Sequence, residues 1–75
     1  MARLPRVSGR DVVKALGRLG FERVRQRGSH VSMQKILPGG FLRTVVPMHR
    51  ELATGTLADI LRQSGVSADE LRAHL

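Results

Sequence analysis

Three short extended segments, Phe21–Gln26, His30–Leu37 and Phe41–Met48, follow one another between glycine-bearing breaks, with a helical pattern on either side. This constrains the chain more than any other feature, because consecutive short strands joined by so few residues pair antiparallel; a parallel pair needs a crossover of a dozen residues or more. In the second break, Leu37-Pro38-Gly39-Gly40, Pro38 presets the first central dihedral of a tight turn and Gly39 can accept a positive φ at the second. The second and third segments are therefore expected to form a hairpin.

Alternation assigns the faces. Val31 and Met33 share one side of the second segment, whereas His30, Ser32 and Gln34 share the other. His30 is thus expected to point away from the core. Arg23, Arg25 and Arg27 share one parity, which predicts a sheet region carrying several cations, although Phe21 has the same parity.

The first helix is predicted over residues 8–19, with Ser8 as cap, Asp11 in the first turn, Val7 and Val12 as a staple, and Gly20 as the left-handed stop. Val12, Val13, Leu16 and Leu19 form its inward face. A second helix is expected from Thr56, its cap, to Ser64, stopped by Gly65. Ser67 and Glu70 form a capping box, with Val66 and Leu71 as staple, for a short helix Ala68–Leu75. The order α-β-β-β-α(-α) describes an α+β fold, a small three-stranded antiparallel sheet with helices packed on one face and the other face open. Residues 1–75 are read as one domain, too small for a deep enclosed active site.

Charge suggests the kind of partner. Thirteen Lys and Arg stand against six Asp and Glu, for a net +7, and eleven of the cations are Arg, whose planar fork matches phosphate oxygens. A polyanionic or acidic partner fits this balance; so does a solvated surface that merely keeps a small protein in solution. Without cysteine, disulfides and Cys-based zinc sites or nucleophiles are excluded. No apolar run approaches the roughly 20 residues of a membrane span, and the start lacks a signal-peptide core, so a cytoplasmic protein is expected. The chain has no Gly-rich phosphate loop before a helix, no nucleophile elbow, no helix-turn-helix pair and no carboxylate pair with acid-base spacing. With two Phe and neither Tyr nor Trp, recognition of a nucleic-acid backbone suits the chain better than stacking on bases.

The three histidines differ in setting. His74 lies beside the C-terminal residue and is expected to be a solvent-exposed bystander. His49, after Val45-Val46-Pro47-Met48, can assist His30 or bind phosphate, or can simply bridge the following loop. His30 follows the sharp turn Arg27-Gly28-Ser29, where backbone can approach a ligand closely. An imidazole there can take a proton from a ribose 2′-hydroxyl, or give one to a leaving oxygen, without a metal. Arg25 and Arg27 can hold the phosphate and offset its developing charge. On pattern alone an exposed strand histidine without catalytic duty is the commoner case. Two histidines with no carboxylate cluster beside them make a weak metal site, and no metal or other cofactor is expected.

Gly28-Ser29-His30 opening the second segment, Val46-Pro47-Met48-His49 closing the third, and Gly55-Thr56-Leu57 leading through Ile60-Leu61 to Gly65 together resemble the HicA (YcfA-like) family of toxins over nearly the whole chain. The stretch Arg50-Glu51-Leu52-Ala53-Thr54-Gly55 resembles the family's usual loop, and no catalytic duty is carried onto it. The resemblance implies a fold like the double-stranded-RNA-binding domain, metal-independent cleavage of mRNA, and neutralisation by a HicB-type antitoxin. It places the family's catalytic histidine at His30 and a motif histidine of binding or supporting role at His49. The expected RNA-contacting set is Arg25, Arg27, Gly28, Ser29, Lys35, Arg43 and His49. Two other readings stay open: a non-catalytic double-stranded-RNA-binding module, and a protein-interaction domain whose basic face meets an acidic partner. A pure double-strand binder usually concentrates cations at the start of its second helix, where this chain has Thr54-Gly55-Thr56 and no cation until Arg62.

Overall fold

The computed structural model describes residues 4–75. Its elements are α1 (Gly9–Arg18), β1 (Glu22–Arg27), β2 (His30–Leu37), β3 (Gly40–Pro47), α2 (Thr54–Ser64) and α3 (Ala68–Ala73). The strands form one antiparallel sheet in the order β1-β2-β3. Helices cover one face of it, in a double-stranded-RNA-binding-domain-like arrangement.

Local chemistry explains both ends of α1. The Ser8 hydroxyl accepts from the Asp11 amide at 3.0 Å while the Asp11 carboxylate accepts from the Ser8 amide at 3.3 Å, so two of the free first-turn donors are satisfied reciprocally. At the other end Gly20 adopts φ +97°, the Phe21 amide donates to the Leu16 carbonyl at 2.9 Å and the Gly20 amide to Gly17 at 3.2 Å, which is a Schellman closure. Phe21 is thereby delivered into the core. The Lys35 ammonium completes this end, donating to the Leu19 carbonyl at 2.9 Å.

Strand alternation is realised in β2. Val31 and Met33 are 0% and 2% exposed, and they pack with Val12, Leu16, Phe21, Val46, Leu57, Ile60 and Leu71. Burying these side chains supplies most of the stabilisation a domain of this size can obtain, at about 1.5–3 kcal/mol for each large apolar side chain. Ser32 and Gln34, on the opposite parity, are half-buried, and His30 is exposed.

Several expectations are corrected. Arg23, Arg25 and Arg27 do not share a face: Arg23 pairs with Met33 but Arg25 pairs with Ser32, so Val24 is an extra residue that reverses the alternation. Arg23 stays on the Met33 side, and only Arg25 and Arg27 join the side of Ser32 and His30. Gly39 does not adopt a positive φ, although Leu37 and Gly40 pair directly across Pro38-Gly39. Pro38 suits the first central position of a type I turn, which asks no left-handed residue of its second. Thr56 does not cap α2; the helix begins at Thr54 after Ala53, without a side-chain cap, and the Leu57 amide donates to the Ala53 carbonyl at 3.0 Å. Burial of Leu57, Ile60, Leu61 and Ser64 holds the helix instead.

α3 starts with the expected capping box, each Ser67–Glu70 bond being 3.0 Å. The Ser67 backbone amide, and secondly its hydroxyl, hold the Glu70 carboxyl below the usual carboxylate range. The helix stops at Ala73 rather than Leu75, and His74 is half-buried, not a solvent-exposed bystander. Its Nδ1 lies 2.9 Å from the Glu70 carbonyl, and its own carbonyl accepts from Arg18 at 2.7 Å, which ties α3 to α1.

Gly9 leaves no room for a side chain. Its amide donates to the His49 carbonyl at 2.9 Å, and a Cβ there would overlap the Pro47 carbonyl oxygen and stand 2.9 Å from the Met48 Cα. Neither obstacle is a flexible side chain, so backbone would have to move. Gly9→Ala is expected to destabilise the protein by about 1–3 kcal/mol, lowering its melting temperature by roughly 4–8 °C per kcal/mol in thermal unfolding.

Candidate active site

His30 owes its position to two constraints. The β1–β2 connection is the two-residue turn Gly28-Ser29, with Arg27 paired to His30 across it. Gly28 adopts φ +59° and Ser29 does not have a positive φ, the pattern of a type II′ turn, whose twist matches that of a hairpin. On its other side His30 pairs with Pro47, and immediately beyond, the Met48 amide donates to the Ser29 carbonyl at 2.6 Å. The end of β3 and the residue after it therefore hold the turn that presents His30.

His30, Val45 and Pro47 from the sheet, His49 from the following loop, and Thr56, Asp59, Ile60 and Gln63 from α2 line one groove of about 430 Å³. α2 is fixed along β3 by the buried Thr44 hydroxyl, which donates to the Gln63 amide oxygen at 2.8 Å. Asp59 pairs with Arg62 at 3.2 Å, with both side chains largely in water. Such a pair is worth little, and leaves the carboxylate within the groove wall.

The expected site residues separate into two groups. His30 and His49 share the groove, and Arg25, Arg27, Gly28 and Ser29 surround the turn beside it, all of them exposed. Arg43 lies on the same sheet face but pairs with Gln34, four residues along β2 from His30, which is about 13 Å at strand spacing. Lys35 has the opposite parity, and its ammonium is engaged at the end of α1, 5.9 Å from the centre of the Phe21 ring. It is not part of the His30 cluster. Of the two phenylalanines Phe21 is buried and Phe41 is 60% exposed, near the far hairpin turn.

Sequence reasoning missed the α2 wall. Thr56, Asp59, Ile60 and Gln63 stand at i, i+3, i+4 and i+7, one stripe of a helix, so the stripe itself was visible. Its placement beside β3 was not. Asp59 also supplies a carboxylate on the groove that holds both histidines, which no local spacing announces.

A basic α+β domain with an uncovered sheet face, and with two histidines on one groove at its rim, defines a small domain of the double-stranded-RNA-binding-domain-like class. The family model of the HicA toxin of bacterial toxin-antitoxin systems matches residues 9–66, and the chain belongs to this family. Comparison with curated proteins returns no match. Among the described residues no helix is long and apolar enough to cross a membrane.

A Cβ on Gly28 would meet nothing within 4 Å, so only its backbone conformation resists substitution. Gly28→Ala is expected to cost about 1–2 kcal/mol, measured by denaturant unfolding, as an L-residue is forced toward the left-handed region.

Proposed function

We propose that this toxin-family chain is an endoribonuclease that cleaves mRNA in the cytoplasm, with His30 as its catalytic residue, and that a HicB-type antitoxin neutralises it. The observation that carries the reading is the shared groove of His30 and His49, with Arg25 and Arg27 beside it. A phosphodiester laid there meets a proton acceptor, a second imidazole and two guanidinium groups.

The reaction follows from those groups. The His30 imidazole takes the proton of a ribose 2′-hydroxyl as its oxygen attacks the adjacent phosphorus. The phosphorus–5′-oxygen bond breaks, and the leaving oxygen receives a proton from the second imidazole, His49, or from water. The products are a 2′,3′-cyclic phosphate and a 5′-hydroxyl. Arg25 and Arg27, with the exposed backbone of Gly28 and Ser29, hold the phosphate and offset the charge that gathers on its oxygens. Arg43 extends the cationic face along β3. The nucleophile belongs to the substrate, so the scheme calls for no metal-activated water.

The distribution of cations favours this over a simple double-strand binder. α2 begins Thr54-Gly55-Thr56, and its first cation, Arg62, comes about two turns further along the helix. That helix start is poorly equipped to grip a phosphate backbone by charge.

Replacing His30 with Ala is expected to lower cleavage of mRNA by about 10²–10⁴-fold while RNA binding persists. End-group analysis of the products is the companion measurement: a 5′-phosphate, or cleavage abolished by a chelator, contradicts the mechanism, full cleavage by the His30→Ala protein removes His30 as the catalyst, and RNA binding without cleavage by the wild type returns the chain to the binding-module reading. Saturating antitoxin is expected to stop cleavage by covering the basic sheet face. Undiminished activity of the saturated complex would sink occlusion as the mode of neutralisation.

A further inference from the structure

The groove at His30 does not end at His49. The same histidine borders a second concavity of about 400 Å³, lined by Ser8, Arg10, Met48, His49 and Arg50. His49 thus borders both depressions, one shared with His30 and the other with Arg10 and Arg50.

The second depression is lined by two cations. No carboxylate lines it. Among the described residues the ion pairs are Arg62–Asp59 and Arg72–Asp69, so neither Arg10 nor Arg50 is neutralised by one. Two carboxylates neighbour these arginines in sequence, but neither lines the depression: Asp11 accepts from the Ser8 amide, and Glu51 borders a different concavity together with Arg6. The loop bearing Arg50 is pinned on both sides of it: the His49 carbonyl accepts from the Gly9 amide at 2.9 Å, and the Leu52 amide donates to the Val7 carbonyl at 2.9 Å. These bonds fix the backbone on either side of Arg50 beside the start of α1, so both arginines border one depression that an anion can enter.

We infer that Arg10 and Arg50 form a second phosphate subsite, which holds the RNA strand at a phosphate neighbouring the one cleaved at His30. The inference rests on the ribonuclease reading of the His30 groove. An RNA strand suits it because its phosphates repeat along one continuous backbone, so a strand seated at His30 brings a further phosphate past His49. Arginine forks bind such oxygens bidentately. An acidic protein segment is the competing occupant, and the test separates the two.

The experiment compares the wild type with Arg10→Gln/Arg50→Gln and with Lys14→Gln/Arg72→Gln, which removes the same charge elsewhere. Each is given a ribodinucleotide, which has a single phosphodiester, and a ten-residue RNA. Binding of the same ten-residue RNA made uncleavable by a 2′-deoxy substitution is followed against salt. The expected result is unchanged dinucleotide cleavage by Arg10→Gln/Arg50→Gln, with about a tenfold higher KM and an unchanged kcat on the longer RNA. The slope of log affinity against log salt should fall by about 0.7 for each phosphate that is no longer neutralised. The Lys14→Gln/Arg72→Gln protein should match wild type in all three respects.

Equal impairment on both substrates, or equal effects of the two double variants, overturns the subsite. If the wild type cleaves neither RNA, it is the ribonuclease reading that has failed, and the salt slope still decides: a reduced slope retains an RNA-phosphate site at Arg10 and Arg50. An unchanged slope overturns the proposal, and a separate measurement showing weaker antitoxin binding by Arg10→Gln/Arg50→Gln would then assign the depression to an acidic protein segment.

Discussion

The structure depends on the contact between a residue without a side chain, Gly9, and the end of β3. The Gly9 amide reaches the His49 carbonyl there, and there is no room for a methyl group against the Pro47 carbonyl oxygen. One residue away, the Met48 amide holds the Ser29 carbonyl. Three distant parts of the chain, the start of α1, the β1–β2 turn and the exit of β3, are thereby locked together through backbone bonds. A domain of this size buries only about 60% of the surface its unfolded chain exposes, so it has little apolar area with which to fix such a junction by packing alone. Hydrogen bonds between backbone groups supply the precision that the small core cannot.

Much of this architecture is legible in the residues. Ser8 with Asp11, Ser67 with Glu70, and the left-handed glycines Gly20 and Gly65 mark helix ends by local chemistry, and the structure realises each of them. The alternation of Val31 and Met33 against His30 sorts the faces of β2 correctly because every second residue of a strand points the same way. What fails is whatever depends on tertiary packing. The start of α2 is set by burial of Leu57, Ile60 and Leu61 rather than by the nearest hydroxyl, so Thr56 misleads. His74 is anchored by Arg18, 56 residues away in sequence, and no local pattern carries that information.

The candidate site divides in the same way. His30 and its turn are local features, and the resemblance to the toxin family rests on short motifs that include them. Asp59 and Gln63 belong to the same groove only because α2 lies along β3, where the buried Thr44 hydroxyl takes the Gln63 amide oxygen as its acceptor. Lys35 shows the converse. As a cation next to a hairpin it looks available for phosphate, yet its strand parity sends it to the helix-covered side, where it caps α1. A charge count treats all thirteen basic residues alike; the sheet does not.

Val24, the unpaired residue in β1, sharpens that point. By adding one residue between Arg23 and Arg25 it acts as a phase shift in an otherwise two-residue repeat, so the two ends of the strand are displayed with opposite sign. A chain of the same composition and net charge, paired identically at the turn but without this half-period, would bring Arg23 to the histidine side together with Arg25 and Arg27. The chemistry available to a bound strand is in this sense encoded in the spacing of the arginines as much as in their number.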